Sequence, residues 1–209
     1  MRAALFPRSV LTAALALLSV FAAAGSAVAQ SMPSSEQLFL IPPPGWVLAY
    51  HDRQGNVDLT ELVPPGQTAR EWTEMLTVQM ITGKPESSPQ EVLKNQLGEV
   101  QKACEDVGAG PVGAAVENGY DTALRAIACT KSKQWGKGEL NLYKVIRGRE
   151  RLYVVARAWR GAPFAKDKLP IGPDVTKQWL AFMQQVRVCD SRDAQHPCPN
   201  TAPPRSSMH

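Results

Sequence analysis

The sequence lacks the residue patterns that most enzyme active sites require. It has three His and contains no G-x-S-x-G elbow, no H-E-x-x-H motif and no Gly-rich phosphate loop placed after a strand. The acidic residues are scattered, and no spacing brings two of them together. Its four Cys form no C-x-x-C pair. We therefore expect a protein that is not an enzyme and that holds no metal ion and no cofactor.

Long apolar runs are absent beyond the N-terminal segment. Residues 1–29 contain Arg2 and Arg8, then an apolar run over about 11–24, then the small-x-small site Ala27-Val28-Ala29. This is the order of a secretory signal peptide. The alternative, a membrane anchor, is disfavoured because the run is short for a span. We predict export to the periplasm by a cleaved signal peptide, with no transmembrane segment left afterwards.

The excess of basic residues is small. The chain has 23 Lys and Arg against 19 Asp and Glu, a formal charge of +4. The predicted signal peptide contains two Arg and no acidic residue, so its removal lowers the charge to +2. This balance does not predict nucleic-acid binding.

The remaining chain is long enough for a single domain with its own core. We predict an extended lead-in over 30–44, because Pro42-Pro43-Pro44 interrupts regular pairing there. The domain itself is expected over 45–189. Residues 190–209 are expected to form a disulfide-closed loop followed by a disordered tail rich in Pro and Ser.

Cap and turn signals predict one hairpin and three helices. The hairpin covers 46–52 and 57–63. Thr68 and Glu71 have capping-box spacing and predict a helix to about residue 81. Ser88-Pro89-Gln90-Glu91 predicts a second helix, which carries Cys104 on its apolar face. Asp174 is the predicted cap of a third helix, to about Val188. The predicted apolar stripe of this helix consists of Val175, Trp179, Phe182, Met183 and Val186.

Four further strands follow the second helix in sequence, over 112–117, 121–131, 139–147 and 151–160. Asn118-Gly119 joins the first two as a hairpin turn, because both residues accept positive φ. Short turns between successive strands predict an antiparallel meander. The predicted fold is α+β: an antiparallel sheet, made of the N-terminal hairpin plus the meander, packed against three helices as an α/β sandwich.

The turn near Gly148 decides which side chains share a face of the last two strands. A three-residue loop keeps one face aliphatic, whereas a two-residue loop splits it, so the pattern favours three residues. The opposite face then combines aromatic rings with guanidinium groups. It is either a half-solvated face or a partner-binding surface. Its members are Tyr143, Arg147, Tyr153, Arg157 and Trp159.

Four Cys in an exported chain predict two disulfides, for which three pairings are possible. We favour Cys104–Cys129, because the second helix directs Cys104 toward the strand that contains Cys129. We favour Cys189–Cys198 because these residues bracket a short loop rich in turn residues. A metal site is the alternative, but these isolated Cys lack the usual ligand spacing.

Several short segments resemble a known fold family. They are Pro44-Gly45-Trp46, Gly66-Gln67-Thr68, Glu71-Trp72-Thr73 and the run over 75–79. With the predicted element order, they resemble the Mog1/PsbP-like fold over about 45–189. This family includes many small exported bacterial proteins and has no shared chemistry. The resemblance implies an accessory or binding module.

Three functional hypotheses follow. The leading one is a non-catalytic periplasmic accessory or assembly protein that docks on a larger envelope complex through the aromatic–Arg face, with a protein partner. The second is a small-molecule or lipid-binding module, with its ligand near Trp46, Trp72 and Met75. The third is an enzyme that uses His51 and Asp52, which requires both side chains to face one cleft.

Overall fold

The computed structural model describes residues 35–83 and 85–199. The predicted signal peptide and the residues from 200 onward lie outside this part. The described part contains two helices, α1 (Pro89–Ala103) and α2 (Pro173–Gln185), and ten strands. The strands are β1 (Glu36–Phe39), β2 (Val47–Gln54), β3 (Val57–Val63), β4 (Glu74–Thr82), β5 (Val107–Ala109), β6 (Gly113–Glu117), β7 (Tyr120–Cys129), β8 (Gly138–Arg147), β9 (Arg151–Gly161) and β10 (Arg187–Asp190). The α+β class is confirmed, but only two of the three predicted helices form, because the first one, over 68–81, is wrong.

One large antiparallel sheet organises the domain. Its strand order is β2-β3-β4-β9-β8-β7-β5, and β6 also pairs with β7. The hairpin β2–β3 and the meander β6 to β9 are as predicted. The turn at Asn118-Gly119 has φ of 49° and 79°, which is why these two residue types suit it. Strand β4 joins the hairpin to the meander in one sheet.

The predicted helix over 68–81 is wrong, because these residues form a turn followed by β4. Thr68 Oγ1 does accept a hydrogen bond from the Glu71 N–H at 3.1 Å. The Thr68 N–H also donates to the Glu71 carbonyl oxygen at 3.0 Å, which closes a turn instead of starting a helix. Strand β4 lies between β3 and β9 and pairs with both along its length, so pairing within the sheet overrides the local capping signal. Thr77 and Val78 also favour a strand over a helix.

The helix α1 begins where the sequence predicts. Ser88 Oγ accepts from the Glu91 N–H at 3.2 Å, and the Glu91 carboxylate accepts from the Ser88 N–H at 2.8 Å. This reciprocal pair is a complete capping box, and Pro89 occupies the first turn. Leu93 is fully buried against the sheet. The capping signal therefore works here, where an amphipathic sequence follows it.

The helix α2 differs slightly from its prediction. Gly172, not Asp174, is the N-cap residue, and no side chain caps this end. Asp174 lies within the first turn. The helix ends at Gln185 because the chain then becomes strand β10, which pairs with β1. Trp179 is buried, as the predicted apolar stripe requires.

The pairing of β8 with β9 differs by one residue from the predicted register. Ile146 lies opposite Tyr153 rather than Leu152. The Gly148 N–H donates to the Arg151 carbonyl oxygen at 2.9 Å, so the connecting loop has two residues and not three. A one-residue slip moves every side chain of a strand to the other face. Both predicted faces are therefore wrong.

A residue far away in the sequence, Glu36, packs against this turn. The Glu36 side chain of β1 is buried, and its carboxylate accepts from the Arg149 N–H at 2.6 Å and from the Tyr153 hydroxyl at 3.1 Å. A Cβ added at Gly148 would collide with the same carboxylate. Because residue 36 stabilises this tight turn, local pattern alone could not predict the loop length.

Each face of the large sheet is covered by one helix. Two clusters of buried residues lie on opposite faces. The α2 face contains Leu76, Leu140, Leu142, Ile146, Tyr153, Val155, Trp179 and Met183. The α1 face contains Leu93, Ala123, Ile127, Tyr143, Val145, Leu152 and Ala156. Since both faces of β8 and β9 are apolar, alternation could not distinguish inside from outside.

The ends of the domain are tied together. The predicted lead-in contains β1, whose pairing with β10 extends regular structure beyond the predicted bounds of 45 and 189. Both predicted disulfides are confirmed. Cys104–Cys129 joins the end of α1 to β7, and Cys189–Cys198 closes the loop after β10.

Candidate functional site

The five residues predicted to form one partner-binding face do not share a face. The register places Tyr153, Arg157 and Trp159 on the α2 face and Tyr143 and Arg147 on the α1 face. The separation follows from the two-residue turn described above. The single aromatic–Arg surface is therefore wrong, while a partner-binding role for the individual residues stays a prediction.

Arg157 is enclosed by the protein itself. Its side chain is only 12% exposed, and its ion pair with Glu74 measures 3.3 Å. The guanidinium carbon lies 5.6 Å from the Trp46 ring, 5.4 Å from the Trp179 ring and 5.6 Å from the Phe182 ring. These are cation–π distances. Arg157 thus holds α2 and the segment before β2 against the sheet.

The other four predicted residues also have partners within the chain. Tyr153 is fully buried, and Tyr143 is buried with its hydroxyl oxygen accepting from the Gln96 amide at 3.2 Å. Burial raises the pKa of Tyr143 to about 12. Trp159 stacks edge-on against Phe164 at 5.9 Å. Half-exposed Arg147 pairs with Asp121.

The His51–Asp52 pair is not a catalytic dyad. Adjacent residues of a strand point to opposite faces, and these two lie in the edge strand β2. His51 Nε2 contacts the Asp58 carboxylate at 3.2 Å instead. Asp52 accepts from Gln54 at 2.9 Å, and this hydrogen bond is the first cause of its lowered pKa. The two side chains do not share a cleft.

The most apolar concavity of the described residues lies beside α2, and we call it the α2 groove. It has a volume of about 370 Å³. Its walls are α2, the strands β7 and β8, and the chain segments 110–113 and 169–171. Its side chains are predominantly aliphatic, with one indole. They include Leu124, Ala126, Leu140, Leu142, Leu169, Ile171, Trp179 and Leu180.

The rim of the α2 groove exposes leucines to solvent. Leu169 and Leu180 are large apolar residues with substantial exposure. The indole Nε1 of Trp179 is buried, and it has no hydrogen-bond partner within 35–83 and 85–199. Leaving a buried donor without a partner costs about 1–3 kcal/mol. The groove thus combines exposed apolar surface with an unsatisfied donor nearby.

The ligand site predicted near Trp46, Trp72 and Met75 does not form as one pocket. Trp46 packs against the α2-face cluster, beside Arg157. Trp72 and Met75 belong to a separate buried cluster with Val63. These three residues are core components on different parts of the sheet.

A buried lysine holds the C-terminal end of α2. Lys144 Nζ donates to the carbonyl oxygens of Met183 and Val186, both at 2.8 Å, and to the Glu117 carboxylate at 2.5 Å. A cation at this position satisfies carbonyl groups that a helix end leaves open. Burial lowers the pKa of Lys144, and the hydrogen bond to Glu117 opposes this shift.

The described ranges contain neither a cluster of metal-binding side chains nor a helix suited to span a membrane. No group of three or more His, Cys, Asp or Glu in 35–83 and 85–199 could hold a metal ion. Within the same residues, neither helix has the length and apolar character needed to cross a membrane.

Comparison with known proteins yields structural matches only. No family model matches the sequence, and no curated protein is significantly similar to it. The Ran-binding protein Mog1p of Saccharomyces cerevisiae matches with a TM-score of 0.49 and 14% identity, over 77% of this chain and 98% of that chain. A point mutant of Mog1 matches with a TM-score of 0.48 and 13% identity, over 74% and 92% of the two chains. LpqN of Mycobacterium tuberculosis, involved in cell envelope biogenesis, matches with a TM-score of 0.36 and 13% identity, over 75% and 84%.

Two of these matches are to Mog1, a namesake of the fold that the sequence segments resemble. Because both identity and superposition are low, the similarity concerns the fold alone, and we draw no functional conclusion from it.

The sequence contained one usable signal for the α2 groove. Leu180 falls outside the apolar stripe predicted for the last helix, on a side that a simple two-sided helix leaves polar. In the structure it lies at the groove rim. The remaining wall residues come from β7 and β8, and only their strand pairing brings them to α2.

Proposed function

We propose that the protein is an exported, non-catalytic binding module that holds the hydrocarbon chain of a lipid-like amphiphile in the α2 groove. The observation that carries this proposal is the apolar wall of the groove together with its exposed leucine rim. A volume of about 370 Å³ is within the range of small-molecule sites. A contiguous exposed apolar surface commonly marks a binding site.

Export is part of the proposal because two features support it. The N-terminal 29 residues have the order of a secretory signal. The two disulfides fit an oxidising compartment.

The way in which α2 is attached supports access to the groove. Its N-terminal end has no side-chain cap, and its C-terminal end is held by hydrogen bonds to Lys144. No disulfide joins α2 itself to the sheet. An outward movement that admits a flexible chain would therefore start at the N-terminal turn of α2, because Lys144 holds the other end.

A fluorescent fatty acid tests the proposal directly. We would titrate the purified protein with cis-parinaric acid and follow its fluorescence. Ala126→Phe places a ring inside the groove, and we expect it to lower the affinity at least about tenfold. Ala114→Phe is the matched control, because Ala114 is exposed on β6 and does not line the groove.

A second variant keeps the test decisive if Ala126→Phe fails to fold. Leu180→Glu changes an exposed rim residue, so the fold should survive. The new carboxylate should repel the fatty-acid carboxylate, and the hydrocarbon chain should lose its apolar contact with Leu180. The proposal is overturned if the wild-type protein binds no cis-parinaric acid, or if both groove variants bind as the wild type does.

Docking on a protein of the envelope is a second candidate, and one observation favours it. The edge strand β2 and the segment before it expose several large apolar side chains, among them Leu48 with 63% exposure. The others are Ile41, Val47 and Tyr50. Leu48→Asp should then abolish cross-linking to the partner in an envelope fraction, and Leu169→Asp should not. Unchanged cross-linking of Leu48→Asp would reject this edge as the docking surface.

A further inference from the structure

A second concavity lies on the opposite side of the sheet, under the C-terminal half of α1. We call it the α1 cleft, and its volume is about 230 Å³. Alternate residues of β8, Glu139, Asn141 and Tyr143, form its floor, since side chains two apart share a face. Trp135 forms part of its wall. The cleft is thus polar and aromatic, unlike the α2 groove.

Two polar groups of the floor have unused hydrogen-bonding capacity. The side-chain amide of Asn141 makes no hydrogen bond with any residue of the described ranges. It therefore offers two donors and one acceptor. The Tyr143 hydroxyl oxygen accepts from Gln96, which leaves its own proton to donate. A tyrosine hydroxyl is neutral at physiological pH, and burial raises the pKa of Tyr143 further, to about 12.

The wall of the cleft presents an indole to solvent. Trp135 is 47% exposed, which is unusual for a Trp in a structured turn. The guanidinium of Arg160 lies 4.9 Å from its ring centroid, and Arg160 also pairs with Glu139 at 2.5 Å. These contacts hold the ring in one orientation beside the cleft.

The surrounding framework is rigid. The Cys104–Cys129 disulfide lies at the base of the cleft. The Lys133 N–H donates to the Ala103 carbonyl oxygen at 2.9 Å, and Lys133 Nζ donates to the Lys102 carbonyl oxygen at 3.0 Å. The turn that carries Trp135 is thus tied to the end of α1. A site built on such a framework requires little ordering when a ligand binds.

We propose that the α1 cleft binds a pyranose ring of an oligosaccharide. An apolar face of the sugar stacks on Trp135, while Asn141 and the Tyr143 hydroxyl bind its hydroxyl groups. Glu99 and Glu139 also line the cleft, but Glu99 pairs with Lys102 and Glu139 pairs with Arg160, so neither carboxylate is an unpaired charge. The expected ligand is therefore a neutral sugar. This site lies on the opposite face of the sheet from the α2 groove, and Asn141 is the one residue that the two linings share.

Calorimetric titration with three oligosaccharides tests the proposal. The probes are tetramers of N-acetylglucosamine, of glucosamine and of galacturonic acid. We expect the first tetramer, which is neutral, to bind, and each of the two charged tetramers to bind at least about tenfold more weakly. Trp135→Ala should lower the affinity at least about tenfold, and Tyr143→Phe, which removes only a hydroxyl group, should lower it severalfold.

Tyr50→Ala is the matched control, because Tyr50 is also an exposed aromatic residue but lies on β2. It should bind the sugars as the wild type does. Binding of cis-parinaric acid should stay unchanged in Trp135→Ala, which separates the two sites. The inference is overturned if none of the three tetramers binds the wild-type protein, if a charged tetramer binds best, or if Trp135→Ala binds as tightly as the wild type.

Discussion

The two faces of the large sheet are each covered by one helix, but the helices are attached in different ways. On one face, α1 begins with a complete capping box and ends at a disulfide to β7. On the other, α2 begins at an uncapped Gly172 and ends on hydrogen bonds from Lys144. The α1 face contains a polar cleft within a covalent frame. The α2 face contains an apolar groove beside a helix held only by non-covalent contacts.

This difference shows how one sheet can provide two kinds of site. A cleft that recognises directed hydrogen bonds needs fixed side chains, and a disulfide beside it supplies that rigidity. A groove for a flexible apolar chain needs surface and some freedom to open. Substitutions that weaken the attachment of α1 and of α2 should therefore lower the free energy of unfolding by different amounts.

The largest effect should come from removing the covalent link of α1. Cys104→Ala/Cys129→Ala opens a loop with a sequence separation of 25, and the chain-entropy model then predicts a loss of about 3.5 kcal/mol in the free energy of unfolding. Cys189→Ala/Cys198→Ala is the control with a separation of 9 and a predicted loss of about 2.6 kcal/mol. Urea unfolding measures both. A larger loss in the control would contradict this ranking.

Lys144→Met tests the attachment of α2. It leaves the carbonyl groups of Met183 and Val186 buried without their donor, so we expect a loss of about 3 kcal/mol. Lys102→Met is the control, because Lys102 is exposed and pairs only with Glu99, and it should cost less than about 0.5 kcal/mol. Equal urea midpoints for the two variants would show that Lys144 does not anchor α2.

Alkaline pH should weaken the α1 face through Tyr143. Its pKa in the folded protein is about 12, against the ordinary value of 10.0. Between these values the unfolded chain releases a proton that the folded protein retains, so the free energy of unfolding falls as the pH rises from 10 to 12. The Tyr143 contribution is on the order of 2 kcal/mol. Urea unfolding across this range should show a smaller decrease for Tyr143→Phe, and an unchanged slope would refute the assignment.

Ser88→Ala should have a smaller effect on α1. It removes the oxygen that accepts from the Glu91 N–H and breaks the capping box. We expect a loss of about 1 kcal/mol in thermal or urea unfolding. Ser87→Ala, one residue outside the cap, is the control and should change little. A similar loss for both variants would contradict a specific role of the cap.

The smallest effect should be a gain at α2. Gly172 is its N-cap with φ of −76°, and a Cβ there meets no atom within 4 Å. Gly172→Ser supplies the missing cap oxygen and restricts the unfolded chain, which should stabilise the protein by about 0.5 kcal/mol. Gly172→Ala separates the two contributions. If Ser is no better than Ala at this position, the N–H groups of α2 do not need a side-chain partner.

Local signals predicted much of the fold correctly. Asn118-Gly119 predicted a hairpin and Ser88-Pro89 predicted a helix start, because each acts through atoms only a few residues apart. Both disulfides were also predictable, since a helical face directs Cys104 toward the sheet. The same reasoning failed at Thr68, whose capping contact forms but is followed by a strand. The residues after this turn form a strand because β4 pairs with β3 and β9 in the sheet.

The two proposed sites were less predictable than the elements that form them. The α2 groove and the α1 cleft draw their residues from β7, β8 and one helix each. Which residues of β8 point toward which helix depends on strand register. This register goes with the two-residue turn between β8 and β9. The buried Glu36, which lies 112 positions before Gly148 in the chain, packs against that turn. No periodicity within β8 or β9 contains that information.

The sequence by itself determined the α+β class, the order of most elements and the start of α1, and it favoured the observed pairing of the four Cys over two alternatives. Each of these depends on local backbone geometry or on which side chains of a single helix point toward the sheet. Only the tertiary structure decided that β4 is a strand, that the last meander turn is one residue shorter, and that Arg157 is enclosed. The physical reason is that a sheet covered on both faces is apolar on both, so alternation cannot assign a face until remote strands and helices have packed together.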